Sequence, residues 1–360
     1  MSHRVVVAMS GGVDSSVAAS MLKEEGCDVV GIGLQLVDPS RATGGPRPCC
    51  GMGAMEDARR VAEKIGIPFY VLNFREAFRT AVIDYFVSSY LNGETPNPCI
   101  PCNELIKFEE LLGYAKGLEA DFLATGHYAR VKRDPAEGRF LLYKGMDESK
   151  DQSYFLYSLS QDQLSYAVFP VGDMTKTETR EMAERLGLEV HDKPESQDIC
   201  FIEEGGYGAY VEERAGYRIE PGPIKDESGA VIGSHRGLPY YTIGQRRGLG
   251  VSFPEPMYVV DIDVRANSIT VAGAARLQRQ ERVLLEKVNY ISVVEPKEPI
   301  MVLARTRYRK PEVKAKLVPL GGDRAYVEFY LPQEPTAPGQ SVVLYDGNMV
   351  VGGGVAKRMD

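Results

Sequence analysis

Arg4-Val5-Val6-Val7-Ala8-Met9-Ser10-Gly11-Gly12-Val13-Asp14-Ser15-Ser16 is the stretch that decides the fold. Its first five residues form a short apolar β run, and Val17 to Leu22 continue as a helical pattern, so the segment reads strand, tight loop, helix. Two adjacent glycines let the backbone curl until its N–H groups converge. Serine hydroxyls add donors, and the start of a helix adds a favourable dipole. Such a concave set of donors suits a phosphate. The loop lacks the Gly-Lys-Ser/Thr ending of a Walker sequence, so the lysine that would meet a transferring phosphoryl group is missing; a kinase or motor ATPase is disfavoured. Asp14 beside a phosphate would repel it, which implies a divalent cation between the two, with magnesium the natural choice.

Outward from this loop the chain alternates short apolar runs with helical patterns. Val29 to Leu34 reads as a strand, and Ala54 to Ile65 as a helix with Ala58, Val61, Ala62 and Ile65 at helical spacing, ended by Gly66-Ile67-Pro68. Phe69 to Asn73 reads as a strand, Phe78 to Leu91 as a helix, and Phe122 to Ala124 as a strand. Between the last two, Leu105, Phe108, Leu111 and Leu112 mark another helix. This wiring predicts an α/β fold with a doubly wound parallel sheet, which binds ligands at the carboxyl ends of its strands. Helical patterns continue over Gln161 to Phe169 and Lys176 to Leu186, and Asp38 to Gly53 reads as a mobile loop. Beyond about Tyr217 the text turns to Gly, Pro and short alternating segments. Tyr258 to Ile262, Ser268 to Val271, Arg282 to Tyr290, Met301 to Tyr308, Val313 to Val318, Arg324 to Phe329 and Ser341 to Tyr345 predict successive strands and a small antiparallel barrel. The expected domains are 1–203, nucleotide-binding and catalytic; 204–280, central and β-rich; and 281–360, a C-terminal antiparallel β-barrel.

The 360 residues, 44% hydrophobic and 26% charged, are ordinary for a globular protein of two or three domains. No apolar run approaches the ~20 residues of a membrane span. Met1 to Met9 lacks the layout of a secretion signal, so a cytoplasmic chain is expected. A reducing compartment argues against a standing disulfide framework for the six cysteines. Cys27 reads as a packing residue, Cys49 and Cys50 are adjacent, Cys99 and Cys102 form a CxxC, and Cys200 stands alone. A CxxC without a second CxxC or a nearby His is half a zinc site. The net charge of -8 argues mildly against a nucleic-acid partner. Locally, however, Arg305, Arg307, Arg309, Lys310, Lys314 and Lys316 are opposed only by Glu312, with Tyr308 interleaved. That stretch reads either as a holder of phosphate backbone or as a solvated strand face.

The SGGVDSS loop resembles that of the ATP pyrophosphatases, which cleave ATP to AMP and pyrophosphate while adenylating an oxygen. The loop leaves the acceptor open, since amide-forming synthetases share it. Thr95-Pro96-Asn97-Pro98-Cys99-Ile100-Pro101-Cys102-Asn103, with Ile106-Lys107-Phe108, resembles the signature of the tRNA-specific 2-thiouridylases. The likeness extends to Thr125–Arg130, Lys150–Phe155, Ser196–Phe201, Tyr241–Arg246 and Pro338-Gly339-Gln340. It implies an enzyme that adenylates the C2 oxygen of the wobble uridine of tRNA and displaces AMP with sulfur, giving 2-thiouridine. By the same resemblance ATP is held by Ala8, Met9, Ser10, Gly11, Gly12, Val13, Asp14, Ser15, Leu34 and Gly126. Cys102 is the nucleophile and Cys200 carries the incoming persulfide, leaving a disulfide that external reductant resets. Asn97, Pro98 and Cys99 match the segment touching the target base. His127, Lys150, Asp151, Gln152, Arg307, Tyr308 and Gln340 match positions touching tRNA. The implied partners are tRNAs for Lys, Glu and Gln and a sulfur-carrier protein. Cys102, read as lying just before a helix, is expected to have a reactive thiolate.

Two positions depart from the family pattern. Many relatives have aspartate where this chain has Cys99, and methionine where it has Leu34. Cys99, Cys102 and Cys200 could therefore hold a [4Fe–4S] cluster through three thiolates, leaving one iron to bind sulfide. Persulfide and cluster chemistry both remain open on the sequence.

Overall fold

The computed structural model describes residues 2–38, 52–194, 199–202, 206–216, 218–251, 253, 255–277 and 280–358. Cys49, Cys50, most of the expected loop between Asp38 and Gly53, and Ser196-Gln197-Asp198 lie outside the described residues. The chain divides into two compact units. The first comprises Met1–Val82, Cys99–Phe201 and Asn348–Val350; the second comprises Ile83–Pro98, Ile202–Gly347 and Val351–Asp360.

In the first unit, β1 (Arg4–Ala8) lies between β2 (Asp28–Gln35) and β4 (Phe122–Thr125), with β3 (Phe69–Asn73) beyond β2. All these pairs are parallel, with Val6 facing Val30 on one side and Leu123 on the other. Val5, Val6 and Val7 are all buried, as a central parallel strand covered on both faces requires. Helix α1 (Val13–Glu24) is buried over Val13, Ser15–Ser20 and Leu22, so its polar groups must be satisfied internally. Ser16 Oγ donates to the Gly12 carbonyl at 2.8 Å and Ser20 Oγ to the Ser16 carbonyl at 2.9 Å. Val17, Ala18 and Ala19 share a core with Ala58, Val61 and Ala62 of α2 (Met52–Ile65), and with Ala183 of the helix Lys176–Arg185.

After β4 come β5 (Ala129–Arg133) and β6 (Phe140–Lys144), an antiparallel hairpin that the sequence reading missed. The helix expected over Gln161 to Phe169 stops at Tyr166. Ala167–Val168 instead forms β7, completing the sheet order β3-β2-β1-β4-β7. Two causes meet there: the open edge of β4 offers backbone partners to Ala167 and Val168, and Pro170 disfavours helical geometry at Phe169.

The second unit holds two β assemblies. β8 (Gly222–Lys225), β9 (Val231–His235), β10 (Met257–Asp263) and β11 (Ser268–Gly273) form a sheet ordered β10-β11-β8-β9. The strands at Tyr258 and Ser268 therefore belong to a separate small sheet rather than to the barrel, and their neighbour pair β11–β8 is parallel. The barrel itself is β12 (Gln280–Tyr290), β13 (Ile300–Arg305), β14 (Val313–Gly321), β15 (Arg324–Gln333), β16 (Ser341–Asp346) and β17 (Met349–Lys357). It runs β12-β15-β14-β13-β16-β17, and β12 pairs with β17 to close it around Val283, Leu285, Ala304, Val327 and Leu344. The strand expected to reach Tyr308 ends at Arg305, because residues 307–310 turn through a bond from Lys310 N–H to the Arg307 carbonyl at 3.0 Å. Among the described residues no helix is long and apolar enough to cross a membrane.

Candidate active site

The loop at the carboxyl end of β1 is fixed from three sides. Met9, fully buried, donates its N–H to the Ile32 carbonyl of β2 at 2.8 Å. Ser15 Oγ accepts the Ser10 N–H at 3.2 Å and lies 3.3 Å from both Ser10 Oγ and the Gly12 carbonyl. Gly11 has φ 71°, and a Cβ there would stand 1.9 Å from the Ala54 carbonyl oxygen, so both conformation and space require glycine. Gly12, extended at φ -96° and ψ 165°, precedes α1 without any side-chain cap. The first-turn N–H groups of Val13, Asp14 and Ser15 thus remain available to an anion. Gly126, just past β4, comes so close that a Cβ would lie 2.5 Å from the Ser15 nitrogen. Leu34 is buried in β2, register partner of Leu72.

Asp14 does not face the loop alone. Lys176 Nζ lies 2.7 Å from Asp14 Oδ1 and 2.9 Å from Oδ2, and Tyr128 OH donates to Oδ1 at 2.8 Å. The repulsion that the sequence reading assigned to a metal ion is met here by an ammonium. One carboxylate beside a phosphate cradle still fits magnesium, which binds nucleotides largely through the phosphates with one or two carboxylates. A second lysine, Lys193, donates to the Gly11 carbonyl at 2.7 Å and to Asp57 Oδ2 at 2.6 Å, and Arg60 also pairs with Asp57. Burial pushes the Asp57 carboxyl up, but the hydrogen bonds from Lys193 and Arg60 outweigh it and hold the group below its usual range. Both lysines escaped the sequence reading, since each arrives from more than 160 positions away.

Thr125 Oγ1 and His127 Nδ1 are 2.6 Å apart, and the imidazole meets Phe169 edge-on at 5.9 Å. Burial, then the Lys107 charge, hold this histidine well below its usual pKa. Gln152 exchanges two bonds with Tyr128, Oε1 accepting the Tyr128 N–H at 3.0 Å and its own N–H reaching the Tyr128 carbonyl at 2.9 Å. Asp151 is buried and accepts the Ser153 N–H at 3.0 Å and its hydroxyl at 3.1 Å; Lys150 is half-buried. His127 and Asp151, matched to tRNA-touching positions, are thus held inside the first unit.

The helical run starts at Cys99, so Cys102 is its fourth residue and not a residue preceding it. Pro101 has no N–H, which leaves the donors of Cys99 and Ile100 as those of this helix start. From Cys102 to Leu111 the helix is wound in π geometry, a rare form that is frequent at functional sites. Asn103, buried, donates to the Phe155 carbonyl at 3.2 Å and accepts Lys107 Nζ at 2.8 Å, which anchors the turn carrying Cys102. Phe201 packs edge-on against Phe78 at 5.7 Å and anchors the neighbour of Cys200. Cys99, Cys102 and Cys200 are half-buried thiols. Among the described residues no three His, Cys, Asp or Glu side chains gather as metal ligands would.

Three family models match consecutive parts of the chain: a tRNA methyl transferase HUP domain over residues 3–204, a tRNA methyl transferase PRC-barrel domain over 209–273, and an aminomethyltransferase β-barrel domain over 280–356. A tRNA-specific 2-thiouridylase MnmA of Moorella thermoacetica is 52% identical over 98% of this chain and 99% of its own. Its namesakes in Heliobacterium modesticaldum and Clostridioides difficile are 49% and 46% identical, over 99% of this chain and 93% and 99% of theirs. The chain belongs to the tRNA-specific 2-thiouridylase family.

In this thiouridylase-family chain, a further group of motif residues meets in the second unit. Thr95 donates its N–H to the Pro338 carbonyl at 2.7 Å, its carbonyl accepts Gln340 Nε2 at 2.7 Å, and its hydroxyl lies 3.3 Å from that of Thr242. Arg307 Nη2 reaches the Ile243 and Pro335 carbonyls at 3.4 and 3.5 Å, and Tyr308 is half-buried. The segment beginning Thr95-Pro96-Asn97-Pro98, the Thr242–Arg247 loop, Arg307 and Gln340 are therefore brought together. The basic stretch as a whole is partly neutralised, Arg305 by Glu312 at 2.7 Å and Lys310 by Glu334, while Lys314 and Lys316 stand exposed on β14.

Proposed function

We propose that this chain is an ATP-dependent 2-thiolating enzyme for the wobble uridine of tRNA, acting through a cysteine persulfide in the cytoplasm. The observation that carries the reading is the presence, in one compact unit, of a phosphate cradle whose two close-approach glycines admit no side chain, together with Cys102 and Cys200. The N–H groups of Val13, Asp14 and Ser15 hold the phosphates, with Ser10 and Gly126 completing the cradle. Asp14 is the carboxylate at hand for the magnesium that accompanies ATP and adds positive charge to the phosphates. The C2 oxygen attacks the α-phosphorus and pyrophosphate leaves, making AMP a good leaving group on the base. A carrier loads Cys200 as Cys200–S–SH. Its terminal sulfur attacks C2 and AMP departs; attack of the Cys102 thiolate on the Cys200 sulfur then breaks the S–S bond, leaving sulfur on C2. The same attack coming first would release hydrosulfide as the nucleophile. Either order ends in a Cys102–Cys200 disulfide, which a thiol reductant returns to two thiols. The target base, splayed from its stack, is assigned to Asn97, Pro98 and Cys99, and the tRNA body to Lys150, Gln152, Arg307, Tyr308 and Gln340. The substrates are assigned as the tRNAs for Lys, Glu and Gln, and residues 1–203, 204–280 and 281–360 as the three domains.

The test is anaerobic thiolation of unmodified tRNA transcripts by the full chain, with ATP and a persulfide donor, scored for 2-thiouridine, AMP and iron. Cys200→Ser and Cys102→Ser are expected to form AMP on tRNA but no 2-thiouridine. Thiolation retained by either variant, or an iron-dependent reaction with sulfide alone, would overturn the persulfide route.

A further inference from the structure

The helix Lys176–Arg185 begins beside the phosphate loop, and its start is built with unusual care. Thr175 Oγ1 accepts the Glu178 N–H at 3.2 Å while the Glu178 carboxylate accepts the Thr175 N–H at 2.7 Å, a reciprocal capping box. Asp147 Oδ2 takes the Lys176 N–H at 3.0 Å. The Lys176 backbone is thus fixed on both sides before its side chain leaves it. That side chain is only 10% exposed, runs to the Asp14 carboxylate, and carries its ammonium 5.7 Å from the centre of the Tyr128 ring. A long, flexible cation has here been given one address, the second residue of α1, next to the uncapped N–H groups of the cradle.

A triphosphate brings several negative charges into this cradle, and the loop has no lysine of its own to meet them. We propose that Lys176 is the missing cation: with ATP in the cradle its ammonium contacts β- and γ-phosphate oxygens and remains with the pyrophosphate as it leaves. This rests on the ATP reading above and adds a residue to it. When the bond between the α-phosphorus and the bridging oxygen breaks, the electron pair stays on the oxygen that becomes part of pyrophosphate. An ammonium with three donors can follow that growing charge while keeping one bond to Asp14. Asp14 in turn balances the lysine, so the protein carries a nearly buried cation without the penalty of an unpaired ion.

The test measures equilibrium binding of ATP, AMP and inorganic pyrophosphate to the full chain carrying Lys176, Lys176→Gln or Lys176→Arg. Lys176→Gln is expected to lose about 10- to 100-fold in affinity for ATP and pyrophosphate, the range of a charged hydrogen bond, with AMP affinity changed less than about twofold. Lys176→Arg should recover most of the loss. If ATP, AMP and pyrophosphate all weaken equally, or none does, Lys176 is only a brace for Asp14 and the proposal fails. Should Lys176→Gln misfold by stranding Asp14, the double variant Asp14→Asn/Lys176→Gln removes that charge and Asp14→Asn is its control; the same selective loss of pyrophosphate is expected on comparing them. A wild-type chain that binds neither ATP nor AMP would instead overturn the nucleotide reading on which this one stands.

Discussion

Lys193 holds Gly11 by its carbonyl, Nζ to oxygen 2.7 Å, while gripping Asp57 at 2.6 Å. The bond turns that carbonyl toward the lysine, which keeps an acceptor from facing the incoming phosphates and fixes the peptide next to Gly12. Lys193→Met should therefore disorder the cradle for every nucleotide, weakening ATP and AMP alike by about tenfold, the value of one charge-assisted bond. Calorimetric titration checks this, and a variant that binds both as wild type does would show the bond to be incidental. Because the Asp57 carboxyl is held below its usual range, its contribution to folding is complete above about pH 4. It is lost only as pH falls through the lowered value. Asp57→Asn should accordingly lower the melting temperature at neutral pH and converge with wild type in acid.

The close approach of Gly126 to Ser15 yields a second prediction. A methyl group at 126 would sit 2.5 Å from the Ser15 nitrogen and 2.6 Å from the Asp14 carbonyl carbon, both backbone atoms that cannot rotate away. Gly126→Ala should push β4 and α1 apart, costing about 1–3 kcal/mol of stability and most of the ATP affinity. Denaturant melts and nucleotide titration read the two effects separately; a variant with native stability and affinity would mean the backbone yields there at no cost.

How much of this was legible in the sequence follows from range. The strand, glycine loop and helix around Ser10–Ser16 are local, and their period and turn chemistry were readable directly. Ala167–Val168 was not, because its strand geometry comes from the open edge of β4 more than 40 positions earlier, while its own pattern continues a helix. The same holds for charge. Asp14 read as a metal ligand because no nearby residue could neutralise it, and Lys176 lies 162 positions on. Cys102 was misplaced by four residues for the opposite reason: three prolines at 96, 98 and 101 looked like a turn, yet Pro101 falls in the first helical turn, where proline is tolerated.

His127 gives a pH prediction. Its imidazole is buried beside Thr125 and stays neutral well below its usual pKa, whereas in the unfolded chain it takes up a proton near pH 6.5. Below that pH the unfolded state binds more protons than the folded one, so stability rises with pH there and falls on acidification. Melting temperatures of wild type should drop more steeply from about pH 7 to 5 than those of His127→Asn. His235, also lowered by burial, contributes equally to both proteins and cancels in the comparison. Parallel pH profiles would show that His127 does not carry this linkage.

Arg246 and Arg247 give a prediction about the nucleic-acid partner. Both are exposed, and neither guanidinium has an ion pair among the described residues. Yet the loop beneath them is firmly held: Gly244 N–H bonds to the Val259 carbonyl at 2.7 Å, Val259 N–H to the Gln245 carbonyl at 2.9 Å, and the Gln245 side chain spans Thr242 N–H and the Arg247 carbonyl at 3.0 Å each. Two exposed cations on a rigid loop, bonded through Thr242 and Ile243 to Thr95 and Arg307, are predicted to take phosphates of the tRNA backbone. Replacing both by Gln should weaken binding of an unmodified tRNA transcript about tenfold at low salt. It should also reduce the slope of log affinity against log salt by about 1.5, each phosphate contact releasing 0.7 to 0.9 counterion. ATP affinity should stay at the wild-type value, since these residues lie outside the cradle. An unchanged salt slope would mean that the arginines face solvent in the complex, and that the backbone is held elsewhere.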